Sequence, residues 1–200
     1  MNIGGDHSIA SATISAAASH YKDVGVIWVD AHADCNTPEI SVSKNYHGMP
    51  LSHVLGLFRE ETAFSWLTQT IGMRSVVLIG IRDVDTDEQT LIDFKKIKYY
   101  TMSEVNKKGI KQVMDEAMDF IGSKKVHMSL DVDGIDPTLV PGTGTAVESG
   151  LLMQDMEHII DRLKEKGDDF VSMDLVEVNF EIEREKTLAT VNSLIQKIFS

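Results

Sequence analysis

The chain alternates between short apolar runs and longer stretches whose apolar residues recur every three or four positions. Val24 to Asp30, Val76 to Ile81, Val126 to Leu130 and Phe170 to Val178 are runs of the first kind, and Ile97 to Tyr100 is a shorter one. Runs of this length, rich in valine and isoleucine, read as strands buried on both faces. Between them lie helical patterns. Ile9 to Tyr21 is small and alanine-rich, which suits a helix packed closely on a sheet. Pro50 opens a helix with Leu51, Val54, Leu55 and Phe58 on one side. Thr86 caps a helix over Asp87 to Phe94. Ser103 to Ile121 reads as one helix, with Val113, Met114, Ala117, Met118 and Ile121 as its core face. Leu152 to Lys166 is amphipathic and stopped by Gly167, and Glu183 to Phe199 forms the last helix. Alternation of strands and helices predicts an α/β, three-layer sandwich with a mostly parallel sheet.

In such sheets ligands sit outside the carboxyl ends of the strands. The acidic clusters of this chain fall there. Asp30, His32 and Asp34 follow the first long apolar run at alternate positions. In extended backbone, side chains two apart share a face. Asp131 and Asp133 repeat the spacing after another strand, and His7 lies in Gly-Gly-Asp-His-Ser. Aspartate ahead of Gly134 also fits a turn, but that reading leaves the recurrence unexplained. Carboxylate oxygen with imidazole suits a divalent cation of the manganese, iron or zinc kind. Four aspartates and two histidines complete two coordination shells only if two carboxylates bridge and water fills the rest. A water between two cations becomes a nucleophile near neutral pH.

Composition narrows the reading. Two hundred residues, 42% of them hydrophobic, suffice for one domain with a sizeable core. A net charge of -12 argues against a nucleic-acid partner. The single cysteine, Cys35, excludes a disulfide within the chain, and its alternation with Asp34 and Asn36 points it away from the site. No apolar stretch is long enough to span a bilayer and no signal peptide is visible, so a cytoplasmic protein without membrane contact is expected. His20, His53, His127 and His158 are read as structural, and Met114 and Met118 as core.

The motifs resemble those of the ureohydrolases, and within them the arginase family. The matching segments are Gly-Gly-Asp-His-Ser (4–8), Asp-Ala-His-Ala-Asp (30–34), Ser-Leu-Asp-Val-Asp-Gly-Ile-Asp-Pro (129–137), Pro-Gly-Thr-Gly-Thr (141–145) and Glu-Val-Asn (177–179). Asn-Thr-Pro at 36–38 and Ser-Lys-Asn-Tyr-His-Gly at 43–48 favour arginase over agmatinase. The resemblance implies a binuclear manganese site. One Mn2+ would be held by His7, Asp30, Asp34 and Asp131, the other by His32, Asp30, Asp131 and Asp133. A metal-bridging hydroxide, oriented by Asp34, would attack the guanidinium carbon of L-arginine and give L-ornithine and urea. His47 would be the proton shuttle and Glu177, beside Thr145, the carboxylate facing the guanidinium. Asn36, Ser41 and Ser43 would hold the substrate carboxylate, and Asp85 and Glu88 the α-amino group. Asp6 and Asp136 would orient ligands. Alternatives are agmatine or another guanidino substrate, or a non-catalytic metal-binding remnant. A homo-oligomer is implied, trimeric in relatives. The family's members extend further, chiefly ahead of Gly-Gly-Asp-His-Ser. Residues 1–200 are therefore expected to form a single, incomplete domain that lacks its first strands and has one sheet edge uncovered. Ala146, Ser149 and Phe180 stand where the family carries proline, glycine and proline.

Overall fold

A computed structural model describes residues 1–59 and 64–200. Six strands form one sheet: β1 (Asn2–Ile3), β2 (Val24–Val29), β3 (Val76–Ile81), β4 (Lys98–Thr101), β5 (Lys125–Asp131) and β6 (Phe170–Val176). Their order is β1-β6-β5-β2-β3-β4, and every pairing is parallel. Parallel strands need crossover connections, and helices supply them. These are α1 (Ile9–His20), α2 (Pro50–Val54), α3 (Thr86–Lys95), α4 (Met102–Lys108), α5 (Ile110–Ile121), α6 (Met153–Lys164) and α7 (Arg184–Phe199).

The all-apolar strands are explained by the two cores they separate. Val26, Trp28 and Leu78 pack with Ile14 of α1, Leu51 of α2 and Ile92 of α3. Ile27, Val29, Ile79 and Met128 pack with α4 to α7, where Met114 and Met118 are core as expected. The sheet is thus the middle of three layers. Strand β1 is an edge, and Ile3 on it is 60% exposed.

Three local expectations are corrected. The stretch Ser103 to Ile121 is not one helix: Gly109, at φ +83°, separates α4 from α5. Asp85, not Thr86, occupies the N-cap of α3. The last strand ends at Val176 because Glu177 has φ +63°, a left-handed value that extended backbone cannot continue through.

Chain order reverses between β2 and β5. From β2 the sheet grows through β3 to β4, and from β5 through β6 back to β1. Loops leaving two such strands diverge and open a crevice. Asp30 follows β2 and Asp131 ends β5, so the acidic clusters flank that crevice.

Candidate active site

His7 reaches the crevice from the turn between β1 and α1. The main chain continues the sheet there, with Gly4 N–H donating to Leu175 O and Glu177 N–H to Gly5 O. The His7 amide donates to Glu177 Oε1 at 2.9 Å, and the ring stacks on Trp28 at 4.1 Å. Nε2 lies 2.8 Å from Ser129 Oγ. Nδ1 faces Asp30 Oδ2 at 3.0 Å, Asp34 Oδ2 at 3.0 Å and Asp131 Oδ2 at 3.3 Å, yet makes no hydrogen bond of acceptable geometry among the described residues. With Nε2–H given to Ser129, Nδ1 turns a lone pair toward three carboxylates. If protonated, it has one N–H for three oxygens. A cation at their centre satisfies all four groups.

A second group lies beside the first. His32 Nδ1 is 3.1 Å from Asp133 Oδ2 and 3.5 Å from Asp30 Oδ1. Asp30 therefore belongs to both, one oxygen turned to each histidine, as a bridging ligand requires. Asp131 falls with His7, Asp30 and Asp34, and its Oδ1 accepts the Asp133 amide at 2.8 Å. The groups are His7, Asp30, Asp34 and Asp131, and Asp30, His32 and Asp133, each bringing one ligand atom per residue within 4.8 Å of the others. These are all six residues expected from the sequence.

Burial opposes charge throughout the cluster. On His32 the carboxylates of Asp133 and Asp30 outweigh it, and the imidazole is pushed up to about 12. His7 is raised in the same way against its burial, by Asp131, Asp30 and Asp34. Burial and the charge of Asp30 lift Asp34 to about 6 and raise Asp131 and Asp133. For Asp30 burial is overcome by His32 and His7, and the carboxyl stays well below its usual range. More carboxylate is gathered here than the histidines neutralise. This fits a site for divalent cations, which take the place of protons when they bind.

The cluster floors a cleft of about 290 Å³. Asn36, Ser43, His47, Asp85, Glu88, Thr145 and Glu177 line it, so the structure brings these residues together above the cluster. His47 Nδ1 lies 3.3 Å from Glu177 Oε1, and Thr145 Oγ1 donates to Asp133 Oδ2 at 3.0 Å. Asn36 Nδ2 donates to Asp85 at 3.3 Å, leaving its buried Oδ1 without a partner among the described residues. Glu88 is buried, accepts the Cys35 amide, and burial lifts its carboxyl to about 8. Ser41 does not line the cleft; it is buried beneath the loop, where its Oγ accepts the Lys44 amide at 3.0 Å. Asp6 is exposed and its carboxylate accepts the Ser8 amide, while Asp136 accepts from Thr138 and Gly150, so neither touches a ligand atom. Asp83 Oδ2 lies 3.7 Å from His32 Nε2. Cys35 packs into the α1 side of the core, away from the ligands, and burial pushes its thiol up.

Sequence reasoning missed two supports. Trp28 Nε1 donates to Asp30 Oδ2 at 3.0 Å, and Ser129 holds His7. Both sit two residues ahead of a ligand on the same strand face, a signal the period-two rule already contained.

The Arginase family model matches residues 1–200. The chain belongs to the arginase family. It is 41% identical over 202 residues to human Arginase-1, covering 96% of this chain and 62% of that protein. Among solved structures, arginase from Bacillus cereus superposes with a TM-score of 0.92 at 39% identity, covering 99% of this chain and 70% of that one. Arginase from Entamoeba histolytica, in complex with L-ornithine, gives 0.93 at 38% identity, covering 100% and 69%. The chain thus spans about three fifths of the length of the curated relatives it matches. No helix among the described residues is long and apolar enough to cross a membrane.

Proposed function

We propose that this chain hydrolyses L-arginine to L-ornithine and urea, using two divalent cations, manganese by its resemblance to the family. The observation that carries the reading is Asp30, shared between two histidine-carboxylate groups, with His7 Nδ1 aimed at three carboxylate oxygens. His7, Asp30, Asp34 and Asp131 would hold one cation. His32, Asp30, Asp131 and Asp133 would hold the other. When bound, the cations supply an activated water and neutralise the carboxylates.

The chain's own groups do the rest. Glu177 offers its carboxylate to the planar guanidinium, a pairing that favours the arginine-type cation over a neutral amide. Its Oε1 is held by the His7 amide and by His47, which leaves Oε2 for the substrate. Asp34 orients the attacking water. His47 turns Nδ1 to Glu177, so Nε2 delivers the proton to the departing amine nitrogen. Asn36 and Ser43 receive the substrate carboxylate, and Asp85 and Glu88 the α-ammonium. Asp85 stays linked to Asn36, which couples the two ends of that recognition.

Urea release is measured after manganese loading, with arginine and agmatine in parallel, and with Asp131→Ala and His32→Ala as controls. Release from arginine, lost in both controls, supports the reading. Faster release from agmatine overturns the substrate. No release from folded, metal-loaded chain overturns the activity and leaves a metal-binding protein.

A further inference from the structure

Arg82 follows β3 and points behind the cluster, not into the cleft. All five of its guanidinium N–H groups end on main-chain carbonyls. Nε donates to Glu148 O at 3.0 Å. Nη1 donates to Gly80 O at 3.0 Å and Gly134 O at 3.3 Å. Nη2 donates to Asp133 O at 2.6 Å and Val147 O at 2.8 Å. Five is the full complement of an arginine. Converging carbonyls repel one another unless a donor sits between them, and only a planar fork meets five at once. The acceptors come from three separate segments: the end of β3, the turn after β5, and the 137–150 loop.

Two of those segments share one contact. Asp133 supplies Oδ2 to His32 and accepts Thr145 Oγ1 on the same oxygen. Arg82 grips the Asp133 carbonyl on one side and Val147, two residues past Thr145, on the other. None of these five bonds ends on His7, Asp30, Asp34 or Asp131. Gly150 makes room for the fork, since a Cβ there would stand 2.8 Å from Nη2.

We infer that Arg82 is the positioning residue of the second cation group: its fork fixes the Asp133 turn and the Val147–Glu148 loop together, and so keeps Asp133, braced by Thr145, aimed at His32. The inference rests on the reading that the cluster binds cations. Lysine keeps the charge and most of the stem but cannot bridge five carbonyls, so Arg82→Lys isolates the fork.

The experiment is a calorimetric Mn2+ titration of the wild-type chain and Arg82→Lys, with the number of ions counted. One ion is expected to bind as in the wild type, and the other about 10- to 100-fold more weakly, the range for partners that orient ligands. Two ions bound as in the wild type, or both weakened equally, overturn the inference. So does an Arg82→Lys chain that unfolds before titration, which would make the residue a general support. If the wild-type chain itself takes up no manganese, the cation reading fails separately. Amide exchange in metal-free protein then decides: faster exchange over residues 132–135 and 143–149 in Arg82→Lys supports the clamp, and unchanged exchange refutes it.

Discussion

Trp28→Phe separates the two things the indole does. The ring stacks on His7 at 4.1 Å with 12° between planes, and Nε1 donates to Asp30 Oδ2 at 3.0 Å. Phenylalanine keeps a stacked ring and removes the donor. Asp30 is fully buried, so the lost bond is not replaced by bulk water. A hydrogen bond to a charged group is worth about 1.5–3 kcal/mol. At roughly 1.4 kcal/mol per decade, that is about 10- to 100-fold in cation affinity. Because Asp30 serves both groups, both ions should weaken, in contrast to Arg82→Lys. The smaller ring also leaves space in the α1 core, at a cost of about 1–3 kcal/mol in folding stability. The assay is manganese binding against a competing chelator, with urea denaturation run on the same samples. Wild-type affinity for both ions in a folded Trp28→Phe chain would refute the reasoning, and weakening of one ion alone would show that Asp30 is not shared.

Three further outcomes follow from particular contacts. Asp174→Ala strips a buried carboxylate from His127 at 3.1 Å, Thr13 at 2.5 Å and Asn2 at 2.9 Å, and should cost about 3–5 kcal/mol in urea denaturation. Burial works against that carboxylate's charge, but His127, Thr13 and Asn2 outweigh it and hold the carboxyl below its ordinary range. Its contribution is therefore full above about pH 4 and fades as pH falls through the folded-state value; a gap between wild type and variant that is equally wide in strong acid contradicts this. Ser149→Gly relieves a left-handed residue at φ +64°. The strain of about 1–2 kcal/mol exceeds the glycine entropy cost, so melting should rise by a few degrees, and a fall would count against it. Gly142→Ala sets a Cβ 2.6 Å from Asn179 O and 2.7 Å from Ile182 O. It should destabilise by about 1–3 kcal/mol and lower urea release with it, because the pushed segments carry Thr145 and Glu177; undiminished activity would show that the loop adapts freely.

The sheet was legible because strands buried on both faces leave an unbroken apolar run, and β2 and β3 are of that kind, while β5 interrupts its own with His127 and Ser129. Gly109 was harder. The apolar spacing runs on from Val105 to Ile110, and only the backbone shows that glycine turns the chain between them. The ligands were found by spacing, but the spacing works differently from the expectation. Strand β2 ends at Val29, and Asp34 has φ +47°, so Asp30, His32 and Asp34 do not share one extended face. The loop instead folds Asp34 back beside Asp30 toward His7 and sends His32 to Asp133. Ser41 and Ser43, both named by resemblance, part company in the structure: Ser43 lines the cleft, while Ser41 is buried and accepts the Lys44 amide. Arg82 was invisible for a plainer reason. Its partners are carbonyls, which every residue has.

Neighbouring backbone packs closely around the ligand that the two groups share. A Cβ at Gly80, whose φ is +99°, would stand 3.0 Å from the Asp30 carbonyl oxygen. A Cβ at Gly134 would stand 2.9 Å from the Asp30 nitrogen. Two glycines, one on β3 and one after β5, thus let neighbouring backbone close on Asp30 from both sides. The Asp30 amide donates to Ile79 O at 3.1 Å, which fixes the same residue lengthwise. A carboxylate shared between two cations must present each oxygen in one direction only, and backbone held on three sides leaves it little else. The reversal of strand order between β2 and β5 opens the crevice; the glycines set the aim of the residue at its base.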